Sequence, residues 1–132
     1  MNFEAIGLMW APRLLSVLRI VTALLFMTHG IAKHFKYPPL PAFAKLELVS
    51  LIGLAGVLEI VGGVLLILGL FTRPVAFILS GQMAVAYFMA HAPQGFHPLV
   101  NRGESAILFC FVFLYIAAAG AGPWSIDALR KK

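Results

Sequence analysis

With 132 residues the chain has room for one domain, and its composition is 61% hydrophobic and only 11% charged, with a mean hydropathy of +0.96. Soluble domains carry about 25% charged residues, so an ordinary soluble fold is excluded and an integral membrane protein is indicated. The net charge of +5 does not indicate nucleic acid, because the ten Lys and Arg stand scattered at the ends of apolar segments instead of lining one face; so placed, they anchor the flanks of membrane spans.

Residues 1–12 read as a short amphipathic lead-in, with Trp10 at interface depth and Pro12 suited to the first turn of a helix. The first span is expected over residues 13–33. Its polar members Arg19, Thr22, His29 and Lys33 fall, with Phe26, inside an arc of roughly 80° at 100° per residue. That face must turn from lipid toward other helices or a wet cavity. No cleaved signal is read here: Arg13 comes late, the apolar stretch is long and no small-x-small site follows, so the span is expected to stay in the mature protein. In residues 33–45, Pro38, Pro39 and Pro41 stand among Phe35, Tyr37 and Phe43, which makes an interfacial loop.

The second span is expected over residues 48–70, where Glu59 is the only charge. Roughly 20 apolar residues at 1.5 Å each cross a hydrocarbon layer of about 30 Å, which puts Glu59 near its middle. An ionisable group there costs about 3 kcal/mol unless paired, protonated or turned into the protein, so it marks a candidate site. Gly56, Glu59 and Gly63 share a face, where a ligand or, more plainly, another helix can come close. Thr72-Arg73-Pro74 is a turn short enough to make the second and third spans antiparallel.

The third span, residues 74–91, carries Ser80, Tyr87 and His91 on one face, and residues 92–102 form a second Pro/aromatic loop. The fourth span, residues 104–119, has Glu104, Leu108, Phe111 and Tyr115 on one face and ends at Gly120-Ala121-Gly122-Pro123. Trp124 then anchors a tail that closes on Arg130, Lys131 and Lys132. Cys110, the single cysteine, lies in an apolar run without a partner, which excludes intramolecular dithiol chemistry and leaves packing as its role.

These elements predict an all-α fold: a four-helix transmembrane bundle, one domain over residues 1–132, with both termini on one side. Arg13, Arg73 and the basic tail stand on that side against Lys33, Lys36, Lys45 and Arg102 opposite, which favours termini in the cytoplasm. There is a faint internal repeat: an Arg/Pro pair opens each hairpin and a histidine closes its first helix.

Counting helical rise, His29 and His91 each lie about 25 Å from the terminal side, and Glu104 opens a descending helix at that level. His29, Lys33, Tyr87, His91, Arg102 and Glu104 are therefore expected at the outer end of the bundle. Arg19 at about 9 Å and Glu59 at about 16 Å are near enough for the guanidinium to bridge the gap. Two readings of that pair stand open: a buried ion pair that fixes helix register, or a polar cavity in which Glu59 exchanges protons. The outer cluster likewise reads either as snorkelling, capping and loop hydrogen bonds or as a ligand site. A quinone headgroup would want a histidine or tyrosine donor, an apolar sleeve and a carboxylate for proton exchange. No metal site is assigned, and haem ligation by the two histidines has no closely spaced motif such as HxxxH behind it.

Further residues give a resemblance. Arg19-Ile20, Leu25-Phe26 and His29-Gly30-Ile31-Ala32-Lys33 in the first span, with Leu58-Glu59, Gly62-Gly63 and Leu68-Gly69-Leu70-Phe71-Thr72-Arg73-Pro74 in the second, resemble the DoxX family of small four-helix bacterial membrane proteins. Gly103-Glu104 and the closing Gly122-Pro123-Trp124-Ser125-Ile126-Asp127 extend the likeness over nearly the whole chain. The resemblance implies a multi-pass protein of the bacterial cytoplasmic membrane. It also implies a loose link to quinones, since the family's namesake is associated with a terminal quinol oxidase and thiosulfate:quinone oxidoreductase and some relatives join membrane oxidoreductive-stress complexes. Arg19, His29, Lys33, Glu59 and Glu104 are the polar positions that match the family pattern.

The expectation is a small membrane subunit of a redox pathway, partnered by the lipid bilayer and other subunits of a membrane complex, that binds a quinone-like ligand. Arg19 orients Glu59, Glu59 exchanges the proton, His29 or His91 donates to the ligand oxygen, and Lys33, Tyr87 and Glu104 complete the site. The rival class is a non-catalytic assembly or scaffold protein. Proton-coupled permeation of a small solute is a third, which in so short a chain calls for a homo-oligomer.

Overall fold

The computed structural model describes residues 2–131; Met1 and Lys132, which end the expected lead-in and basic tail, lie outside them. Helix α1 (Phe3–His34) starts early because the Asn2 side chain accepts the Ala5 N–H at 2.8 Å and Glu4 suits the positive end of the helix dipole. The expected lead-in and first span are thus one continuous helix. Pro12 sits inside it, at an exposed position, and not at a helix start. Helix α2 (Leu51–Leu68) is shorter than the expected 48–70 because of its caps. Ser50 Oγ accepts the Gly53 N–H at 3.0 Å, and at the other end Gly69 takes φ +68°, a left-handed turn that glycine enters without steric cost.

Helix α3 (Thr72–Ala86) continues into a π-helical turn, Tyr87–His91, and a 3-10 turn, Ala92–Gln94. A short α4 (Pro98–Asn101) leads into α5 (Glu104–Ala119), and α6 (Ile126–Arg130) ends the described chain. By length and composition Phe3–His34, Leu51–Leu68 and Thr72–Gln94 can each cross a membrane. Helix α5, with 16 residues, is a shorter apolar helix that rises about 24 Å.

Two antiparallel hairpins, α1/α2 and α3/α5, make the bundle; α2 and α3 join them, while α1 touches α5 only lightly. The core lies where they meet: Ala23 and Phe26 of α1, Leu66 of α2, Leu79 and Met83 of α3, Phe113 and Ile116 of α5. Phe26 meets Phe109 and Phe113 edge-on at 5.5 and 4.9 Å between centroids, the arrangement that aromatic quadrupoles favour. Arg19 and Glu59 are buried while Leu24, Leu58, Phe77 and Phe111 face outward, the inverse of a soluble fold and what a lipid solvent requires. The face of α5 with Glu104, Leu108, Phe111 and Tyr115 also points outward. Helix α5 is apolar on every side, so its inward face was chosen by fit, with Phe113 entering the aromatic cluster around Phe26.

Candidate functional site

Three polar assemblies occupy the bundle. The first closes its terminal end. Arg19 is fully buried and donates Nε to Leu66 O at 2.8 Å, Nη2 to Trp124 O at 2.7 Å and Nη1 to Ala121 O. Ser16 Oγ accepts the Trp124 N–H at 3.1 Å, which seats the tail on α1. Beyond it, Asp127 accepts the Phe71 and Thr72 N–H groups at 3.0 and 2.9 Å and so caps α3 from far along the chain. Burial pushes the Asp127 carboxyl up, but the hydrogen bonds from Thr72 and Phe71 and the charge of Arg130 together hold it below the usual value. Arg130 also lies over the Phe71 ring at 4.9 Å.

Arg19 therefore does not pair with Glu59, contrary to the sequence expectation. Close contacts fix the register of α1 on α2: Gly30 lies against Gly56 and Ile60, and Met27 against Gly63. Glu59 is thus level with Gly30, and Arg19 stands some eleven residues, about 16 Å, toward the terminal end. A guanidinium cannot reach that far, and backbone carbonyls satisfy it instead.

The second assembly lies on the α1/α2 hairpin. Lys33 Nζ donates to Glu59 Oε1 in an ion pair whose side chains are 13% and 2% exposed. The Lys33 ammonium also lies 5.7 Å from the Phe43 ring centre, and Lys36 Nζ donates to Lys33 O and Phe43 O at 2.8 and 2.6 Å, which folds the loop over the pair. His34 bonds through Nε2 to Gly53 O at 2.6 Å and packs on Gly56. Sequence reasoning named Lys33 and Glu59 but not their pairing, and missed His34. Only the glycine register reveals all three.

The third assembly is built on Asn101, which is fully buried and was not picked out in the sequence. Its Nδ2 donates to Tyr87 Oη at 3.1 Å and to Gly95 O at 2.8 Å, and its Oδ1 accepts the Gly103 N–H at 2.8 Å. Its backbone carbonyl lies 3.0 Å from His91 Nδ1. Asn101 thereby ties the π-helical turn to the loop, and Gly103 packs so closely on the Tyr87 ring that a Cβ would have no room. The rings of Tyr87 and His91 stack at 6.3 Å. A groove of about 390 Å³ opens beside them, lined by Tyr87, Phe88, Pro93 and Phe96 among others, a volume within the small-ligand range.

The other expected members stand apart. His29 lies exposed on α1 with its ring edge-on to Phe109 at 5.9 Å, and Arg102 and Glu104 are exposed. The sequence cluster thus resolves into a Lys33–Glu59 pair, a Tyr87–His91 pair and three outlying residues.

Apolar helices that bury their charges and turn their leucines outward define an integral membrane helical bundle. Within that class the chain belongs to the DoxX family, whose model matches residues 14–92 and so takes in Arg19, His29, Lys33, Glu59, Tyr87 and His91. An uncharacterized protein of Haemophilus influenzae is 44% identical over 132 residues, covering 89% of this chain and 91% of its own. An uncharacterized membrane protein of Mycobacterium tuberculosis is 27% identical over 131 residues, covering 87% of this chain and 80% of its own. No solved structure matches.

Proposed function

We propose that the protein is a subunit of a quinone-linked redox pathway in the bacterial cytoplasmic membrane, holding a quinone-class headgroup in the groove beside Tyr87. The observation that carries this reading is the state of the Tyr87 hydroxyl. Its oxygen accepts from Asn101 Nδ2, which leaves its own proton for a ligand carbonyl. His91 faces the Asn101 carbonyl through Nδ1, so that nitrogen carries hydrogen and Nε2 is left to pass a proton. Both groups stand on a π-helical turn, a distortion that recurs at functional sites. Phe88 and Phe96 supply the apolar walls.

In this reading Glu59 keeps the proton-exchange role, with Lys33 in place of Arg19 as its partner, while Arg19 anchors the tail. Of the expected ligand contacts only Tyr87 lines the groove; His91 stacks on the Tyr87 ring, and His29, Lys33 and Glu104 are left out of the ligand contacts.

The test is to purify the protein in native-lipid nanodiscs, extract it with solvent, and examine the extract by mass spectrometry and absorption. Quinone is expected with the wild type and is expected to be depleted in Tyr87→Phe, at equal helicity. Quinone-free wild type, or equal retention by both, refutes the reading. The competing assembly role is favoured by the way Arg19, Asp127 and Asn101 all bind the chain's own backbone. It would show as loss of a co-purifying partner with ligand content unchanged.

A further inference from the structure

We infer that the loop between α1 and α2 is a strap that gates proton exchange at Glu59, with Lys36 as its latch, so that the carboxylate meets the aqueous phase on the loop side of the bundle and only when the latch is open. This deepens the proton-exchange role proposed for Glu59 and rests on it. The Glu59 side chain is 2% exposed and that of Lys33, nearer the loop, 13%, so the little access there is lies toward the loop. On the side of the termini the way is shut. Gly30 lies hard against the Glu59 Cβ and the Gly56 carbonyl, Met27 closes on Gly63, and beyond them Phe26 and Leu66 are fully buried.

The strap begins where α1 ends. Lys36 Nζ donates to Lys33 O at 2.8 Å and to Phe43 O at 2.6 Å, which ties the last turn of α1 to a 3-10 turn, Pro41–Phe43. Pro41 presets that turn, the Phe43 N–H closes it on Leu40 O at 3.0 Å, and it presents the Phe43 ring to the Lys33 ammonium. The ammonium thus has a carboxylate and an aromatic ring as its neighbours, and one side chain, Lys36, keeps the ring in place. Apolar burial adds little to that hold. No residue from Phe35 to Ser50 is buried, and Phe35, Tyr37 and Leu40 stand exposed. A segment with so few buried apolar contacts opens locally well before the bundle does. Lys36 also occupies the left-handed region at φ +57°, which a residue with a Cβ keeps only while its surroundings hold it there. Breaking the two hydrogen bonds therefore relieves the backbone and frees the ring together. With the strap open, Lys33 can turn to water and Glu59 can take up or release a proton; with it closed, the pair is sealed.

A carbodiimide carrying a quaternary ammonium group tests the gate, because it does not cross membranes and activates a carboxyl group only where the aqueous phase reaches it. The full chain is treated in sealed vesicles of either orientation, and modification of Glu59 is read by mass spectrometry, as the acylurea adduct or as the Lys33–Glu59 amide with its loss of one water. The exposed Glu104 is the reference for the loop side and the exposed Glu4 for the side of the termini. From the loop side, Glu59 is expected to react slowly in the wild type. It is expected to react several-fold faster in Lys36→Met and in Phe43→Ala, which keeps the carbonyl that Lys36 binds. Lys36→Arg, which retains donors for both carbonyls, and Lys45→Met, at an exposed lysine of the same loop, are expected to keep the wild-type rate. Equal rates in all five proteins, or a Lys45→Met effect as large as that of Lys36→Met, overturn the latch. Labelling as fast from the side of the termini as from the loop side overturns the direction of access. No step here uses quinone, so a failed gate leaves the reading of the Tyr87 groove standing, and gated labelling of a quinone-free protein refutes that reading alone.

Discussion

At single residues, charge satisfaction separates the roles that the sequence ran together. The Lys33–Glu59 pair is nearly out of solvent, so Glu59→Gln leaves an ammonium without a countercharge, with an expected loss of about 3–5 kcal/mol of stability. Replacing both members, Lys33→Met with Glu59→Leu, is expected to be neutral or stabilising, by up to about 4 kcal/mol. Unfolding of the three proteins in mixed micelles checks the ordering, and a single variant as stable as the double one refutes it. Asp127 predicts a pH dependence. Its carboxyl is held below the ordinary value of 3.8, so its contribution is complete above that value and is lost as the pH falls through the lower value of the folded chain. Asp127→Ala is expected to cost about 1 kcal/mol at neutral pH and to flatten the acid limb of the stability curve.

At the scale of elements, the fit of one helix on another decides what composition leaves open. The four apolar stretches and the two proline loops were legible in the sequence, because twenty-residue runs and clustered prolines each admit one reading. The inward face of α5 was not: an all-apolar helix carries no stripe, and Phe113 was selected by the ring of Phe26. Nor was the partner of Glu59, since the slide of α1 along α2 is set by where Gly30 and Gly56 meet. Asn101, a lone loop asparagine, has no spacing that announces four hydrogen bonds. The glycine register is testable. A Cβ on Gly30 would lie 2.6 Å from the Gly56 carbonyl and 2.7 Å from Ile60, so Gly30→Ala is expected to destabilise by about 1–3 kcal/mol. Gly81, exposed in α3 with nothing near it, is the control, and Gly81→Ala should stabilise by about 0.5–1 kcal/mol. Thermal midpoints moving the same way would count against the packing argument.

For the whole molecule, two hairpins are pinned together at one end by Arg19 and Asp127, and the basic residues of that end favour the cytoplasm. Reporter fusions at the C-terminus are expected to be active only for a cytoplasmic reporter, and a periplasmic signal would reverse the assignment. The pinning also bears on biosynthesis. Arg19 enters the membrane with the first helix, but the carbonyls of Ala121 and Trp124 that accept its hydrogen bonds leave the ribosome more than a hundred residues later. Until then the guanidinium has Leu66 O as its acceptor but lacks the two of the tail, and α3 lacks its Asp127 cap. A product cut short before Trp124 leaves the Arg19 guanidinium short of an acceptor and α3 without its Asp127 cap. In a pulse-chase, such a truncated chain is expected to decay well before the intact one.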